Sequence, residues 1–178
     1  MANLNIGSHT IVSDDSGTPS LSASLNFPAG HILQIQSTKY STRYYHNTHN
    51  ATDLFSVSIT PKLGNSKMMI QIHLCHGSQD DSGFALDRNG TRIHQHGYTH
   101  SYSDPTTFVS SDQFYLQDVY SINTLSFMFE DTPNTTSVVT YKIISDAKGG
   151  NTGTLYLNRD TNDSGAGSSS ITVMEVAQ

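Results

Sequence analysis

The stretch 55–75, FSVSITPKLGNSKMMIQIHLC, decides the fold. Apolar and hydroxyl residues alternate in its first part, which places Phe55, Val57 and Ile59 on one face of a β-strand. The same alternation returns over residues 68–74, after a turn that contains proline, glycine and asparagine. The two strands are therefore predicted to pair as a hairpin that shares one buried face.

A second hairpin is predicted at Asn89-Gly90, because this dipeptide tolerates the positive φ angles of a tight hairpin turn. Further strands are expected at 114–119, 125–130, 138–145, 154–158 and 171–176. Short strands without helical periodicity predict an all-β fold, an antiparallel β-sandwich, with a jelly roll as the favoured topology. The core candidates are Phe55, Val57, Ile59, Met68, Ile70, Ile72, Leu74, Phe127, Phe129, Val139, Tyr141 and Ile143.

Composition narrows the function classes. The chain has 178 residues, the size of one domain, and its net charge of −6 disfavours nucleic acid as a partner, because phosphate binding relies on clustered cations. Charged residues make up 13% of the chain, against about 25% in average domains, which argues against solvated helices. The sequence predicts neither a membrane span nor a signal peptide. The single cysteine, Cys75, rules out an intrachain disulfide.

Residues 1–29 differ from the remainder in being rich in serine, glycine, asparagine and aspartate. Such a segment cannot bury a core of its own, so it is predicted either to fray or to form an extended arm that becomes ordered against another chain. The boundary is placed at Pro28-Ala29-Gly30, which leaves residues 30–178 for the sandwich. The candidate anchors of the arm are Ile11, Val12, Leu21, Leu25 and Phe27.

Histidine clusters suggest a metal site. On a strand, His94 and His96 lie on the same face, and in a three-fold oligomer one such pair from each chain could hold an ion on the axis. The alternative is that both are half-exposed strand residues with hydrogen-bonded neighbours. The pair also resembles a cupin metal motif, but the glutamate expected downstream is missing and His100 stands near its place. A structural metal ion is therefore kept as an alternative, and no other cofactor is expected.

The sequence carries no strong sign of an enzyme. Cys75 lies between His73 and His76; the adjacent His76 points to the opposite face of a strand and only His73 shares the face of Cys75, and a small buried thiol is the favoured interpretation. The nucleophile-elbow and phosphate-loop motifs are absent from the sequence. A non-enzymatic protein is therefore expected, with a metal-dependent cupin-like enzyme as the least favoured alternative.

Tyrosine and histidine are concentrated in two short stretches, KYSTRYYHNTH and GYTHSY. Tyrosine offers a rigid apolar ring with a polar tip, which suits subunit interfaces and stacking on sugar rings, although such residues also cover loops. The candidate interface or glycan residues are Tyr44, Tyr45, His46, Tyr98, His100 and Tyr102.

Six segments in sequence order carry a resemblance to a known group: GHILQIQ, FSVSITPKLGNSKMMIQIHL, ALDRNGT, FEDTPNTTSVVTYKI, GTLYLNRD and SSSITVMEVAQ. Together they resemble the small β-sandwich virion structural proteins of tailed phages, especially cyanophages. The resemblance covers residues 30–178, and its motifs mark strands and turns without carrying over any catalytic residue.

The resemblance implies a homotrimer at the virion surface that is synthesised in the host cytoplasm. Its partners would be major capsid or tail proteins, reached through the N-terminal arm. A capsid decoration or cement protein is favoured because no long stalk separates the arm from the sandwich. The alternative is a short tail or head fibre that binds a receptor or host surface glycan.

Overall fold

A computed structural model describes residues 4–13, 20–21, 27–46, 51–78, 82–95, 107–111, 122–146 and 154–178. These residues form strands, turns and loops, and none of them lies in a helix, so none belongs to a helix able to cross a membrane. The strand expected at 114–119 lies outside the described residues.

Fourteen strands are formed by the described residues. They are β1 (Leu4–Ile6), β2 (His9–Ser13), β3 (Ser20–Leu21), β4 (Ile32–Tyr40), β5 (Tyr44–His46), β6 (Thr52–Ile59), β7 (Lys67–Ser78), β8 (Ser82–Arg88), β9 (Thr91–Ile93), β10 (Val109–Ser111), β11 (Asn123–Asp131), β12 (Val139–Asp146), β13 (Leu155–Leu157) and β14 (Ser169–Val176). The expected strands at 125–130, 138–145, 154–158 and 171–176 are confirmed, with ends shifted by at most two residues.

The strands form two large antiparallel sheets and one small one. The five-stranded sheet has the order β10-β8-β12-β6, with β9 also paired to β8. The six-stranded sheet has the order β4-β14-β7-β13-β5, with β11 also paired to β7. The two large sheets pack on a single hydrophobic core, so the all-β sandwich is confirmed. The jelly-roll topology stays a prediction.

The core consists of the inward-facing apolar residues of both sheets. Ten of the twelve core candidates are buried, and Phe127 and Phe129 are partly buried against the others. At one end the sheets are also tied by polar groups: Asp131 accepts hydrogen bonds from Tyr141 Oη at 2.7 Å and from Arg88 Nη1 at 2.6 Å. Burial, followed by this contact with Asp131, raises the pKa of Tyr141, so its hydroxyl stays a donor at all ordinary pH values.

The hairpin predicted from residues 55–74 is wrong. Strand β6 pairs with β12 in the five-stranded sheet, whereas β7 pairs with β11, β13 and β14 in the six-stranded sheet. The connection through Pro61 therefore carries the chain from one sheet to the other. Alternation specifies that one face of each strand is buried, but a strand can reach the same core from either sheet.

The hairpin predicted at Asn89-Gly90 is confirmed, with β8 and β9 joined in register Arg88↔Thr91. Both turn residues have positive φ, 51° at Asn89 and 89° at Gly90, as a type I′ turn requires. The Gly90 N–H donates to Asp87 Oδ1 at 2.7 Å, so a side chain of β8 also holds the turn.

The N-terminal region holds a small sheet of its own, in the order β1-β2-β3. Among the described residues, its contacts run chiefly between its own strands and not to the sandwich. Leu4 is 61% exposed and Ile6 is 69% exposed. The predicted extended arm is thus in part a three-stranded sheet whose first strand exposes the apolar side chains of Leu4 and Ile6.

Candidate functional site

The loop after β13 is organised by Asn158, a buried residue in the left-handed region with φ of 61°. Its amide Nδ2 donates to the carbonyls of Tyr40 at 2.9 Å and Thr42 at 3.1 Å, and its Oδ1 accepts from Ser169 Oγ at 2.8 Å. Its backbone N–H donates to the Cys75 carbonyl at 2.8 Å. One asparagine therefore ties the loop to three strands of the six-stranded sheet and to the link that follows β4.

Asp160 closes the same loop. Its carboxylate accepts hydrogen bonds from Ser164 Oγ at 2.6 Å, from Ser164 N–H at 2.8 Å and from Gly165 N–H at 2.9 Å. The Ser164 hydroxyl in particular lowers the pKa of Asp160 below its usual value, against the opposing effect of burial. Asp160 is therefore ionised at neutral pH and holds the loop as a charged acceptor.

A connected surface cluster lies beside this loop, and we call it the Tyr45 cluster: Tyr45, Tyr156, Arg159, Asp163 and Arg43. The rings of Tyr45 and Tyr156 are 5.3 Å apart between centroids, and the Arg159 guanidinium lies 5.2 Å from the centroid of Tyr156. Asp163 Oδ1 pairs with Arg159 Nε at 3.2 Å and with Arg43 Nη1 at 3.3 Å.

The chemistry of the Tyr45 cluster combines an aromatic face with paired charges. Tyr45 is 48% exposed, so one part of its ring is available to a ligand while Tyr156 supports it. The charges of the two arginines balance those of Asp163 and the neighbouring Asp160. A neutral polar molecule with an apolar ring face, such as a sugar, fits this combination better than an ion does.

The tyrosines predicted to form one surface are divided by the strand geometry. Tyr44 and Tyr45 are neighbours on β5, so Tyr44 packs against the core while Tyr45 points outward. The backbone of His46 pairs with Leu155. The candidates Tyr98, His100 and Tyr102 lie outside the described residues.

The strand geometry assumed for the histidine pair is wrong at His94. Strand β9 ends at Ile93, and His94 follows it with φ of 55°, outside the extended region. Its ring stacks on Phe129 with centroids 4.7 Å apart, so it covers the edge of the core. His96 lies outside the described residues, and within them no three histidine, cysteine or acidic side chains group as metal ligands.

Cys75 is buried, as predicted, and burial raises the pKa of its thiol. The loop segment at Gly167 lies so close to it that a Cβ on this glycine would collide with Cys75 Sγ. His76 is also fully buried, and burial lowers its pKa to about 4, so its ring is neutral at physiological pH. A protonated thiol and a neutral imidazole are typical of packed interior groups.

The arm anchors fall into different environments. Ile11 and Val12 are half-buried in β2, and the backbone of Leu21 pairs with Val12. The ring of Phe27 stacks on His31 with centroids 4.9 Å apart, immediately before β4. Leu25 lies outside the described residues.

The sequence analysis missed an apolar surface on the outside of the six-stranded sheet, which we call the methionine face: Ile35, Met69, Met128 and Met174. Ile35 pairs with Met174 and Met174 with Met69 across neighbouring strands. Ile35 is 54% exposed and Met128 is 57% exposed. The available signal was an apolar residue at a position where the alternation calls for a polar one, as at Met69.

Comparison with models of known protein families finds no match, and a search of curated proteins finds none either.

Proposed function

We propose that this chain is a non-enzymatic structural subunit of a virion. In this proposal it is a homotrimeric capsid decoration or cement protein, synthesised in the host cytoplasm and docked at the virion surface through residues 1–29. Its partners are its own copies and the major capsid or tail proteins.

The observation that carries the proposal is the separation of the small N-terminal sheet from the sandwich. Leu4 and Ile6 expose most of their side chains, and the sandwich strands leave them uncovered. Exposed apolar side chains on a short sheet gain stability when another chain covers them, so this sheet is suited to docking. The apolar methionine face supplies a second uncovered surface for association between copies.

The test is incorporation into particles of the virus that encodes the chain. We expect removal of residues 1–29 to abolish incorporation while the purified sandwich keeps its thermal unfolding temperature. Leu4→Ser combined with Ile6→Ser should reduce incorporation at least tenfold, and Asn5→Ala, between them, should not. Absence of the intact chain from purified particles would overturn the proposal.

A second candidate, a short fibre protein with glycan-binding function, is favoured by the Tyr45 cluster. A half-exposed ring backed by Tyr156 and flanked by paired charges can stack on a pyranose and hydrogen-bond its hydroxyls. A glycan array tests it: saturable binding by the intact chain that is lost in Tyr45→Ala and kept in Lys142→Ala would promote this candidate. An array without saturable binding would remove it.

A further inference from the structure

The methionine face occupies one end row and the adjoining edge of a four-strand surface whose pairing is known residue by residue. Three rows run across β4, β14, β7 and β11. In order, the rows are Ile35–Met174–Met69–Glu130, Ser37–Thr172–Gln71–Met128 and Lys39–Ser170–His73–Ser126. The outward direction of these residues follows from the full burial of their strand neighbours Ile70, Ile72 and Val173.

The two outer faces of the sandwich differ in chemistry. On the five-stranded sheet, Ser58 Oγ and Thr140 Oγ1 are 2.8 Å apart and Lys142 pairs with Asp53 at 2.6 Å, so polar groups satisfy one another. The face of the six-stranded sheet also has polar pairs, Ser37 with Thr172 and His73 with Ser126, but it exposes the apolar side chains of Ile35 and Met128 beside them. Methionine adapts its shape to a partner and is enriched in protein interfaces. The six-stranded sheet is therefore the face suited to being covered.

The two charged residues of this four-strand surface, Lys39 and Glu130, occupy opposite corners. Lys39 lies on β4 in one end row, and Glu130 lies on β11 in the other. They are separated by three strand spacings, about 14 Å, and by four residues, about 13 Å along the strands. Lys39 is exposed and pairs with no acid among the described residues, while Glu130 is 59% exposed although it contacts Lys67 at 2.9 Å.

Because Lys39 and Glu130 occupy opposite corners, the methionine face has charges complementary to those of a second copy of the same face. When identical faces surround a symmetry axis, one lateral edge of each face meets the opposite edge of the next copy. When these edges meet along the diagonal, the corner of Lys39 meets the corner of Glu130 in the neighbouring copy. Each copy then contributes one cation and one anion to the contact.

We infer that the methionine face is the self-association surface of this chain, with a second copy as its occupant and with Lys39 of one copy paired to Glu130 of the next. The inference rests on the homo-oligomer of the proposed function and identifies the surface that forms it.

The experiment measures molar mass by light scattering of the intact purified chain over a concentration series at low ionic strength. Lys39→Glu and Glu130→Lys are each expected to raise the concentration of half-dissociation at least tenfold, and the double exchange should restore most of the loss. Met128→Lys places a charge on the most exposed side chain of the methionine face and should give monomers. Lys67→Ala, which removes only the pair within the chain, and Lys142→Glu, on the other sheet, are the matched controls and should leave the mass unchanged.

Circular dichroism of every variant should match that of the intact chain, because all five positions lie on the surface. An unchanged mass for Met128→Lys would overturn the inference, as would a monomeric intact chain. If the mass is unchanged but particle incorporation is lost in Lys39→Glu, the face docks on another virion protein, and the inference fails while the proposed function stands. If the intact chain is absent from particles but the charge exchange behaves as expected, only the proposed function fails.

Discussion

Glu175 on β14 fixes the backbone of Lys62, which lies 113 positions earlier in the chain: its Oε1 accepts the Lys62 N–H at 2.8 Å. The same oxygen accepts the Leu63 N–H at 3.0 Å and the Ser66 hydroxyl at 2.8 Å, while Oε2 accepts from Gln34 Nε2 at 2.6 Å. A buried carboxylate on one sheet thus organises the turn through which the chain crosses from the other sheet.

Glu175→Gln should lower the free energy of unfolding by about 1 to 3 kcal/mol, because the new amide N–H₂ faces the Gln34 amide donor and the charged acceptor is lost. Urea denaturation at pH 7 measures the change. Glu130→Gln, on an exposed carboxylate, is the control and should cost at most about 1 kcal/mol. Equal effects of the two substitutions would show that the contacts of Glu175 contribute little.

Acid should weaken the same contact. Burial acts to raise the pKa of Glu175, but hydrogen bonds from Lys62 N–H, Leu63 N–H, Gln34 and Ser66 outweigh it and leave the pKa lowered. The folded state therefore binds fewer protons, and this contribution to stability is present above the ordinary value of 4.5 and lost as pH falls through the lowered pKa. Urea denaturation below pH 4.5 should give a shallower pH slope for Glu175→Gln than for the intact chain.

The buried His76 should make the free energy of unfolding depend on pH in a range above that of Glu175. Burial lowers its pKa from 6.5 to about 4, so between these values the unfolded chain binds a proton that the folded chain does not. Stability should therefore be complete above pH 6.5 and fall by about 3 kcal/mol as pH approaches 4. His76→Asn should flatten this slope, whereas His73→Asn, on the outer face of the same strand, should retain it. Identical slopes for the two variants would contradict the prediction.

Gly90→Ala should lower the unfolding free energy by about 1 kcal/mol through backbone strain alone. Gly90 has φ of +89°, and a Cβ there would meet no atom within 4 Å. The substitution is therefore unfavourable only because an alanine rarely adopts this backbone conformation. Gly64→Ala is a matched control, because that glycine lies outside the positive-φ region and its Cβ would contact Thr136 Cγ2 at an ordinary 3.9 Å. Thermal unfolding of both variants tests this, and an equal loss in the two would exclude the strain explanation.

Gly167→Ala should destabilise the chain by about 1 to 3 kcal/mol, because the new methyl group would collide with Cys75 Sγ. Cys75→Ala removes that sulfur, so the double variant should recover part of the loss. A double-mutant cycle by urea denaturation should give a coupling of about 1 kcal/mol or more. Strictly additive effects would mean that the loop at Gly167 relaxes away from the strand.

The sequence by itself determined the central strands of the sandwich and most of the side chains that they bury. Val57, Ile72 and Ile143 each belong to a run in which every second residue is apolar and buried. This pattern can be read from one strand alone, since successive side chains of a strand point to opposite faces. The Asn89-Gly90 hairpin was equally predictable, because a two-residue turn is set by the φ angles that those residues tolerate.

Only the tertiary structure decided how these strands are paired and what lies on the outer surface. Residues 55–59 and 68–74 bury every second side chain in the same way yet belong to different sheets, because burial of one face does not specify the neighbouring strand. The Glu175 contact, the loop held by Asn158 and the rows of the methionine face each join residues distant in sequence. Local patterns carry no information about such contacts, since they depend on the strand order and register that the complete chain adopts.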